Sequence, residues 1–277
     1  MAEIIPPPLA RMKRRHLYAP VGSCIYCLGD GLPGRLTLEH IIPESLGGML
    51  ELPEASCHDC QAITGAFEGE NAGRLFRPIR RQFNFPSKSR GKARREQREK
   101  ETFVIRVNGI NRNIPTAEYP GLITSFVFRL PTILLGLPPT GESFSGGVSL
   151  GILPEFGERL NALRAKYGHH VEFLTPGSAE AVGRLLAKIG YAYAVAKIGL
   201  NNFRPLLLGI IRNQDPYLLH HLVSSAVGTP AVSEDLHEIE LLPAESFGAG
   251  KLIVVKIRLF SNYPGIAAHY VVAGERL

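Results

Sequence analysis

The chain has 277 residues, of which 45% are hydrophobic and 20% are charged. This composition excludes a disordered protein, and the length allows one large domain or two ordinary ones. Its longest apolar stretches fall far short of the roughly 20 residues that span a bilayer, so no membrane partner is expected. The basic N-terminus is not followed by an apolar segment, as a secretory signal would be, so a cytoplasmic location is expected.

Charge is concentrated in one part of the chain. The net charge is +6, but residues 74–100 contain eleven lysines and arginines against two glutamates, a net charge of +9. A block of this kind is typical either of a segment that binds a polyanion or of a solvated linker. Composition alone leaves both interpretations open.

The first hundred residues divide into three segments. Residues 1–20 are rich in proline and then basic, and they predict a flexible basic arm. Residues 21–82 have short apolar pieces between glycines, which predict a compact module with a hairpin and a short helix. The charged residues that follow predict a basic connector over 83–100.

Residues 101–277 predict a mixed α+β domain. The stretch 102–107 is typical of a strand, with an Asn-Gly turn after it, whereas prolines and glycines over 115–155 predict mostly loop with short elements. Later elements are predicted from apolar periodicity and capping. They are a helix over about 154–167, a strand over 171–174, a helix after Ser178 with apolar residues at 182, 185, 186, 189 and 193, a helix over about 203–212, and strands over 252–260 and 268–272.

Four cysteines form two Cys-x-x-Cys pairs within the first 60 residues. Cys24 and Cys27 make the first pair, Cys57 and Cys60 the second, and 29 residues separate the pairs. Four thiolates in two tight pairs suit one tetrahedral zinc ion in a closed structural site. Disulfides are not expected in a cytoplasmic chain. The alternatives to a zinc site are therefore a redox pair or unrelated buried cysteines.

A distinctive sequence lies between the two cysteine pairs. Glu39 directly precedes His40, and Ile-Ile-Pro and then Gly47-Gly48 follow. Over residues of about 24–73 the chain resembles the HNH endonucleases, the ββα-metal family, in its four-cysteine subgroup. The resemblance implies an α+β protein in which a small zinc-stapled ββα-metal module precedes the mixed α+β domain.

The resemblance also implies roles for individual residues. His40 matches the general base that deprotonates water, and Glu39 matches the neighbouring acid, usually Asp, that holds a catalytic Mg²⁺ or Mn²⁺ ion. Gln61 stands where the family has its second metal ligand, usually Asn. Adjacent strand residues point to opposite faces, so Glu39 and His40 need a bulge to converge, which we expect near Pro43 and the Gly pair.

Four arginines follow the predicted metal-site helix at spacings that place several on one helical face. On the nucleic-acid interpretation they contact backbone phosphates; the alternative is a solvated face paired with Glu68 and Glu70. They are Arg74, Arg77, Arg80 and Arg81. His58, between the cysteines of the second pair, is expected to be an exposed residue that could contact phosphate, and no function is assigned to the His pairs at 169–170 and 220–221.

These features together predict a metal-dependent endonuclease that hydrolyses phosphodiester bonds in DNA. The C-terminal domain is expected to serve targeting, oligomerisation or sensing. Two alternatives remain open at this point: a zinc-dependent nucleic-acid-binding protein without cleavage activity, and a C-terminal domain that is itself an enzyme.

Overall fold

The structure is a computed structural model that describes most of the chain. The described residues are 15–29, 35–83, 85, 101–139, 146–153, 155–174, 177–226, 231–243 and 250–277. Most of the predicted arm and most of the predicted basic connector lie outside these ranges. Among the described residues no helix is both long and apolar enough to cross a membrane.

The N-terminal part is a small sheet followed by helices. Strands β2 and β3 form an antiparallel hairpin, and the short β1 pairs with β3 in parallel. Their bounds are β1 His16–Leu17, β2 Leu36–His40, β3 Leu50–Cys57, α1 His58–Gly73 and α2 Arg77–Gln82. The predicted hairpin and helix are confirmed, in the order ββα.

The loop between β2 and β3 explains the glycine pair. Gly47 has φ 84°, in the left-handed region that a glycine adopts without strain. A Cβ added to Gly48 would stand 1.9 Å from the carbonyl oxygen of Ile42, so only glycine allows this close approach. The loop is further closed by the amide of Gly48, which donates to the carbonyl of Pro43 over 3.2 Å.

The described residues beyond the N-terminal module form three sheets. The largest has the order β10-β13-β12-β11 with β9 paired to β13, and the others are β5-β4-β8 and β6-β7. The strands are β4 Thr102–Val107, β5 Ile110–Pro115, β6 Leu122–Phe128, β7 Gly146–Ile152, β8 Val171–Phe173, β9 Phe203–Pro205, β10 Val223–Ser225, β11 His237–Leu242, β12 Leu252–Leu259 and β13 His269–Arg276.

In the part of the chain that the structure describes, four α-helices accompany these sheets, and one of them is central. They are α3 Phe156–Tyr167, α4 Ala179–Ile198, α5 Leu208–Ile211 and α6 Leu219–Leu222. Helix α4 packs against α1 and against β12 and β13. Within α4 every residue from Ala181 to Val195 is buried except Arg184. Ser178 caps it as predicted, accepting a hydrogen bond from the amide of Ala181 over 3.2 Å.

One hydrophobic core joins the N-terminal module to the C-terminal region. It includes Ile25, Ile41 and Phe67 together with most of α4 and the strands of the largest sheet. A smaller cluster, around Ile105 and Leu163, lies between β4, β5 and α3. The main core therefore continues across the predicted boundary at residues 83–100.

Residues 115–155 contain short elements between loops, chiefly the paired strands β6 and β7, and the prolines at 120 and 131 flank β6 without interrupting it. One element prediction is wrong. The helix predicted over 203–212 is a strand, β9, followed by the single turn α5, because Phe203–Pro205 pairs with the end of β13.

Candidate active site and metal centre

The four cysteines lie together as one cluster. Their sulfur atoms are all within 4.8 Å of one another, and the Sγ atoms of Cys27 and Cys57 are 3.8 Å apart. Sulfurs bound at about 2.3 Å around one tetrahedral zinc ion would be about 3.8 Å apart. The cysteine cluster therefore fits one structural zinc ion.

The two pairs reach this cluster from different elements. Cys24 begins a tight turn in which its carbonyl accepts from the amide of Leu28 over 2.8 Å, and Ile25 is tied to β3 through the carbonyl of Ala55. Cys57 ends β3, and Cys60 lies in the first turn of α1. A metal ion bound there would join the turn, the hairpin and the helix.

Burial within the cluster also favours a bound cation. Cys24 and Cys60 are almost completely buried. Burial, followed by the neighbouring thiols of Cys57 and Cys24, raises the pKa of the Cys60 thiol. A zinc ion would supply the positive charge that stabilises the thiolates in this environment.

His40 lies at the end of β2 on the more accessible face of the hairpin. It pairs across the ladder with Glu51, and its Nε2 atom is 3.5 Å from Oε1 of that residue. The His40 side chain is 27% exposed, while that of Glu51 is only 10% exposed. Arg15 lies 3.3 Å from Glu51 and 3.4 Å from Glu44. The imidazole thus has an acidic partner and access to solvent.

Glu39 has different surroundings from His40. It is buried beside Leu52, its partner across the ladder, and its carboxylate forms an ion pair with Lys188 of α4. The ladder is irregular between Thr37 and Glu39, so the bulge precedes Glu39 and does not lie at Pro43 or the Gly pair, where we expected it. Glu39 and His40 therefore keep the opposite orientations of adjacent strand residues.

Lys188 also contacts α1 and the β2 backbone. Its Nζ atom is 2.9 Å from Oε1 of Glu68 and donates to the carbonyl oxygens of His40 and Ile41. Burial lowers the pKa of Lys188, but the charges of Glu39 and Glu68 outweigh this effect and the pKa is raised. Burial raises the pKa of Glu39 in spite of the opposing charge of Lys188. The site is a group of two acids and one ammonium in which Glu39 and Lys188 are buried and Glu68 is partly exposed.

Gln61 lies on the same helix as Glu68 but farther toward its N-terminus. Seven residues of α-helix correspond to a rise of about 10.5 Å. The residue of α1 that approaches Glu39 is thus Glu68, two turns beyond Gln61. Binding of one ion by Glu39 and Gln61 stays a prediction, and the arrangement of the helix favours Glu68 as the neighbour of Glu39.

The four arginines are divided between several intramolecular contacts. Arg80 donates to the carbonyls of Ser45 and Ala72, and Arg81 pairs with Glu101. The remaining contacts are Arg77 with Glu101 and the ring of Phe103, and Arg74 with Glu70 at 3.7 Å. Among these four arginines, only Arg74 has a side chain that is mainly in solvent, with 67% of it exposed. Their binding of phosphate stays a prediction.

Sequence reasoning missed three residues of this region. Glu51 could have been found by pairing β2 with β3, since a cross-strand partner of His40 must lie on its face. Glu68 gave no motif signal. Lys188 gave only a weak one, as a lone lysine among Ala187, Ile189 and other apolar residues of a helix.

The N-terminal module matches a known family. The family model described as HNH endonuclease matches residues 24–76, which include both cysteine pairs, the hairpin and α1. No curated protein and no solved structure matches the chain. The predicted resemblance is confirmed: residues 24–76 match the family model described as HNH endonuclease, and the four cysteines in this segment are placed to bind a metal ion.

Proposed function

We propose that this protein is an endonuclease that hydrolyses internal phosphodiester bonds of DNA, with His40 as the general base. One observation carries the proposal. Within the matched segment, His40 stands at the end of β2 with its imidazole partly exposed and a nearly buried carboxylate 3.5 Å away. A histidine that is oriented by an acid and open to solvent is the arrangement that proton abstraction from water requires.

The pairing with Glu51 suggests which nitrogen acts as the base. A carboxylate beside Nε2 favours the tautomer in which that nitrogen carries the proton. Nδ1 then keeps a lone pair that can accept the proton of an attacking water molecule. Glu51 also stabilises the imidazolium that forms when the proton is transferred.

The HNH family is metal-dependent, and a Mg²⁺ or Mn²⁺ ion would neutralise charge on the scissile phosphate and stabilise the leaving 3′ oxygen. Of the two expected ligands, Glu39 does not fit such an ion in this structure, whereas ligation by Gln61 stays a prediction. Glu39 already binds the buried ammonium of Lys188. We therefore derive no step from an ion at Glu39.

The substrate would be held mainly through its phosphates. Arg15 lies beside Glu51 with a side chain that is 63% exposed, and Arg74 is exposed near the end of α1. Arginines in these positions can bind backbone phosphates without reading the base sequence. The C-terminal region would then support the module and select its targets.

Replacement of His40 by alanine tests the proposed role directly. We expect nicking of a supercoiled plasmid, in the presence of Mg²⁺ or Mn²⁺, to fall by about 10²–10⁴-fold, the range for loss of a general base. His58→Ala is the matched control, because His58 is an exposed histidine of the same segment. Cleavage that survives unchanged in His40→Ala would remove His40 from this role.

The same assay separates cleavage from binding alone. A zinc-dependent nucleic-acid-binding protein would bind DNA in a salt-sensitive manner and would leave the plasmid intact with every divalent ion tried. Wild-type protein that binds DNA but never nicks it would replace our proposal with this alternative.

Glu51→Gln tests the orienting acid. We expect a reduction of roughly tenfold or more in the cleavage rate, since an acid that orients a catalytic histidine contributes up to about 10⁴-fold in serine hydrolases. Glu44→Gln is the control, since it also removes a partner of Arg15 but does not contact His40. Equal effects of the two substitutions would assign Glu51 to Arg15 instead of His40.

A further inference from the structure

Four oxygen atoms surround the ammonium of Lys188. They are a carboxylate oxygen of Glu39, a carboxylate oxygen of Glu68 at 2.9 Å, the carbonyl oxygen of His40, and the carbonyl oxygen of Ile41 at 3.3 Å. An ammonium has three N–H donors, so these four acceptors use all of them. The Lys188 side chain is 1% exposed, and that of Glu39 is 5% exposed.

This arrangement joins three separate elements. The acid Glu39 and the two carbonyls belong to the end of β2 and the residue after it, Glu68 belongs to α1, and Lys188 belongs to α4. The oxygens are those that would bind a cation between the hairpin and the helix. In this chain the cation is a side chain, supplied by a residue 148 positions away from His40.

The chemistry of the site suits an ammonium better than a divalent ion. Mg²⁺ requires six ligands at about 2.0–2.1 Å and keeps several water molecules, so it binds where solvent can enter. Here the acid is buried and the lysine side chain is almost inaccessible. The distances of 2.9 Å and 3.3 Å to Glu68 and Ile41 are of the length that N–H···O contacts have.

Helix α4 holds the lysine firmly in place. Tyr191, three residues after Lys188, donates from its hydroxyl to the carbonyl of Ile25 in the first cysteine turn over 2.7 Å. A Cβ added to Gly190 would lie 2.8 Å from a methyl group of Val271, which shows how closely α4 rests on β13. These two contacts fix the backbone of α4 close to Lys188.

We propose that the Lys188 ammonium permanently replaces a divalent ion as the cation bound by Glu39. Glu39 is then a positioning residue that, through Lys188, fixes the backbone at His40. Divalent ions do not bind at Glu39, and any ion used in cleavage binds on the face of the hairpin that carries His40 and Glu51. This proposal concerns cation binding by the protein and does not require that the protein cleave DNA.

The first test is Mn²⁺ binding to the full-length, zinc-loaded protein without DNA, measured by electron paramagnetic resonance of free Mn²⁺. We expect Glu39→Gln to change the Mn²⁺ affinity by less than about twofold, the scatter of independent sites. Glu70→Gln is the control for removal of one acid from α1, since Glu70 pairs with Arg74 on the surface. Loss of a Mn²⁺ site in Glu39→Gln but not in the control would overturn the proposal.

The second test removes the resident cation. Lys188→Ala should gain one Mn²⁺ site that the wild type lacks, and Mn²⁺ should raise its melting temperature, because a ligand bound only by the folded state stabilises that state. The added Glu39→Gln substitution should abolish both effects. If Lys188→Ala does not fold, the comparison of Mn²⁺ affinity between the wild type and Glu39→Gln still tests whether Glu39 binds a divalent ion. Plasmid cleavage tests the proposed function separately, so a negative result in these Mn²⁺ measurements would overturn only the proposal about Lys188.

Discussion

If the four cysteines bind a metal ion as proposed, its removal is expected to unfold the first cysteine turn and the hairpin. Structural zinc contributes about 10–16 kcal/mol to the folding of small zinc-dependent peptides. The loss should be smaller here, because Ile25 and Ile41 belong to a core that extends into α4 and the largest sheet. The hairpin and the start of α1 should lose protection while β12 and β13 retain it.

Hydrogen exchange measured by mass spectrometry can resolve these two regions. We expect Cys60→Ser, or treatment with a zinc chelator, to increase exchange over residues 24–60 much more than over 252–276. Zinc analysis should give one ion per wild-type chain and none in the variant. Restoration of protection by zinc after chelation is the control. A wild-type protein that contains no zinc and resists chelators would show that the cysteine cluster stabilises the fold without a metal ion.

The sequence predicts the local parts of this site because their signals are local. Two Cys-x-x-Cys pairs and the Glu-His-Ile-Ile-Pro sequence each depend on residues close together in the chain, and the family match confirms the segment they indicate. The strand Thr102–Val107 and the capped helix after Ser178 are also set by short-range patterns, and the structure has both.

The partners of the site residues could not be predicted in the same way. Lys188 departs from the apolar character of its helix, but periodicity cannot say what a buried lysine will contact. The answer depends on how α4 packs against α1 and β2, which brings Lys188 to Glu39 and Glu68. Arg80 shows the same limit, since its hydrogen bonds to the carbonyls of Ser45 and Ala72 join residues that no sequence pattern connects.

This packing makes the N-terminal module dependent on the C-terminal region. Asn71 of α1 donates to the carbonyl of Ala181 over 2.8 Å, and Arg184 lies over the ring of Phe67 at 4.7 Å. Together with Tyr191 and Lys188, these contacts place one face of α4 against α1, the hairpin and the first cysteine turn. The region beyond residue 101 therefore completes the module structurally, whatever else it does.

Lys188→Met is expected to destabilise the protein by about 3–5 kcal/mol, the usual effect of removing one partner of a buried ion pair. Methionine retains most of the length and apolar volume of the lysine side chain, so loss of packing contributes little. The substitution leaves Glu39 buried beside Glu68 without a positive charge, and it leaves the carbonyls of His40 and Ile41 without their donor. Denaturant unfolding gives the change in the free energy of unfolding.

Lys197→Met is the matched control, since Lys197 is an exposed residue of the same helix that lies over the rings of Tyr18 and Tyr193. Loss of an exposed cation–π contact costs about 0.5–1 kcal/mol, so the two lysines should differ several-fold in effect. Equal losses would show that the charge of Lys188 has no special role.

The double variant Lys188→Met with Glu39→Gln isolates the interaction between the two charges. In Lys188→Met the buried carboxylate of Glu39 has lost its lysine partner, and Glu39→Gln removes that unpaired charge. The double variant should therefore lose less free energy of unfolding than the sum of the losses in the two single variants. Residues in direct contact show coupling energies of about 0.5–3 kcal/mol, and Glu68 remains available to Lys188 when Glu39 alone is changed. Additive losses would mean that Lys188 stabilises the hairpin through the carbonyls of His40 and Ile41 and not through Glu39.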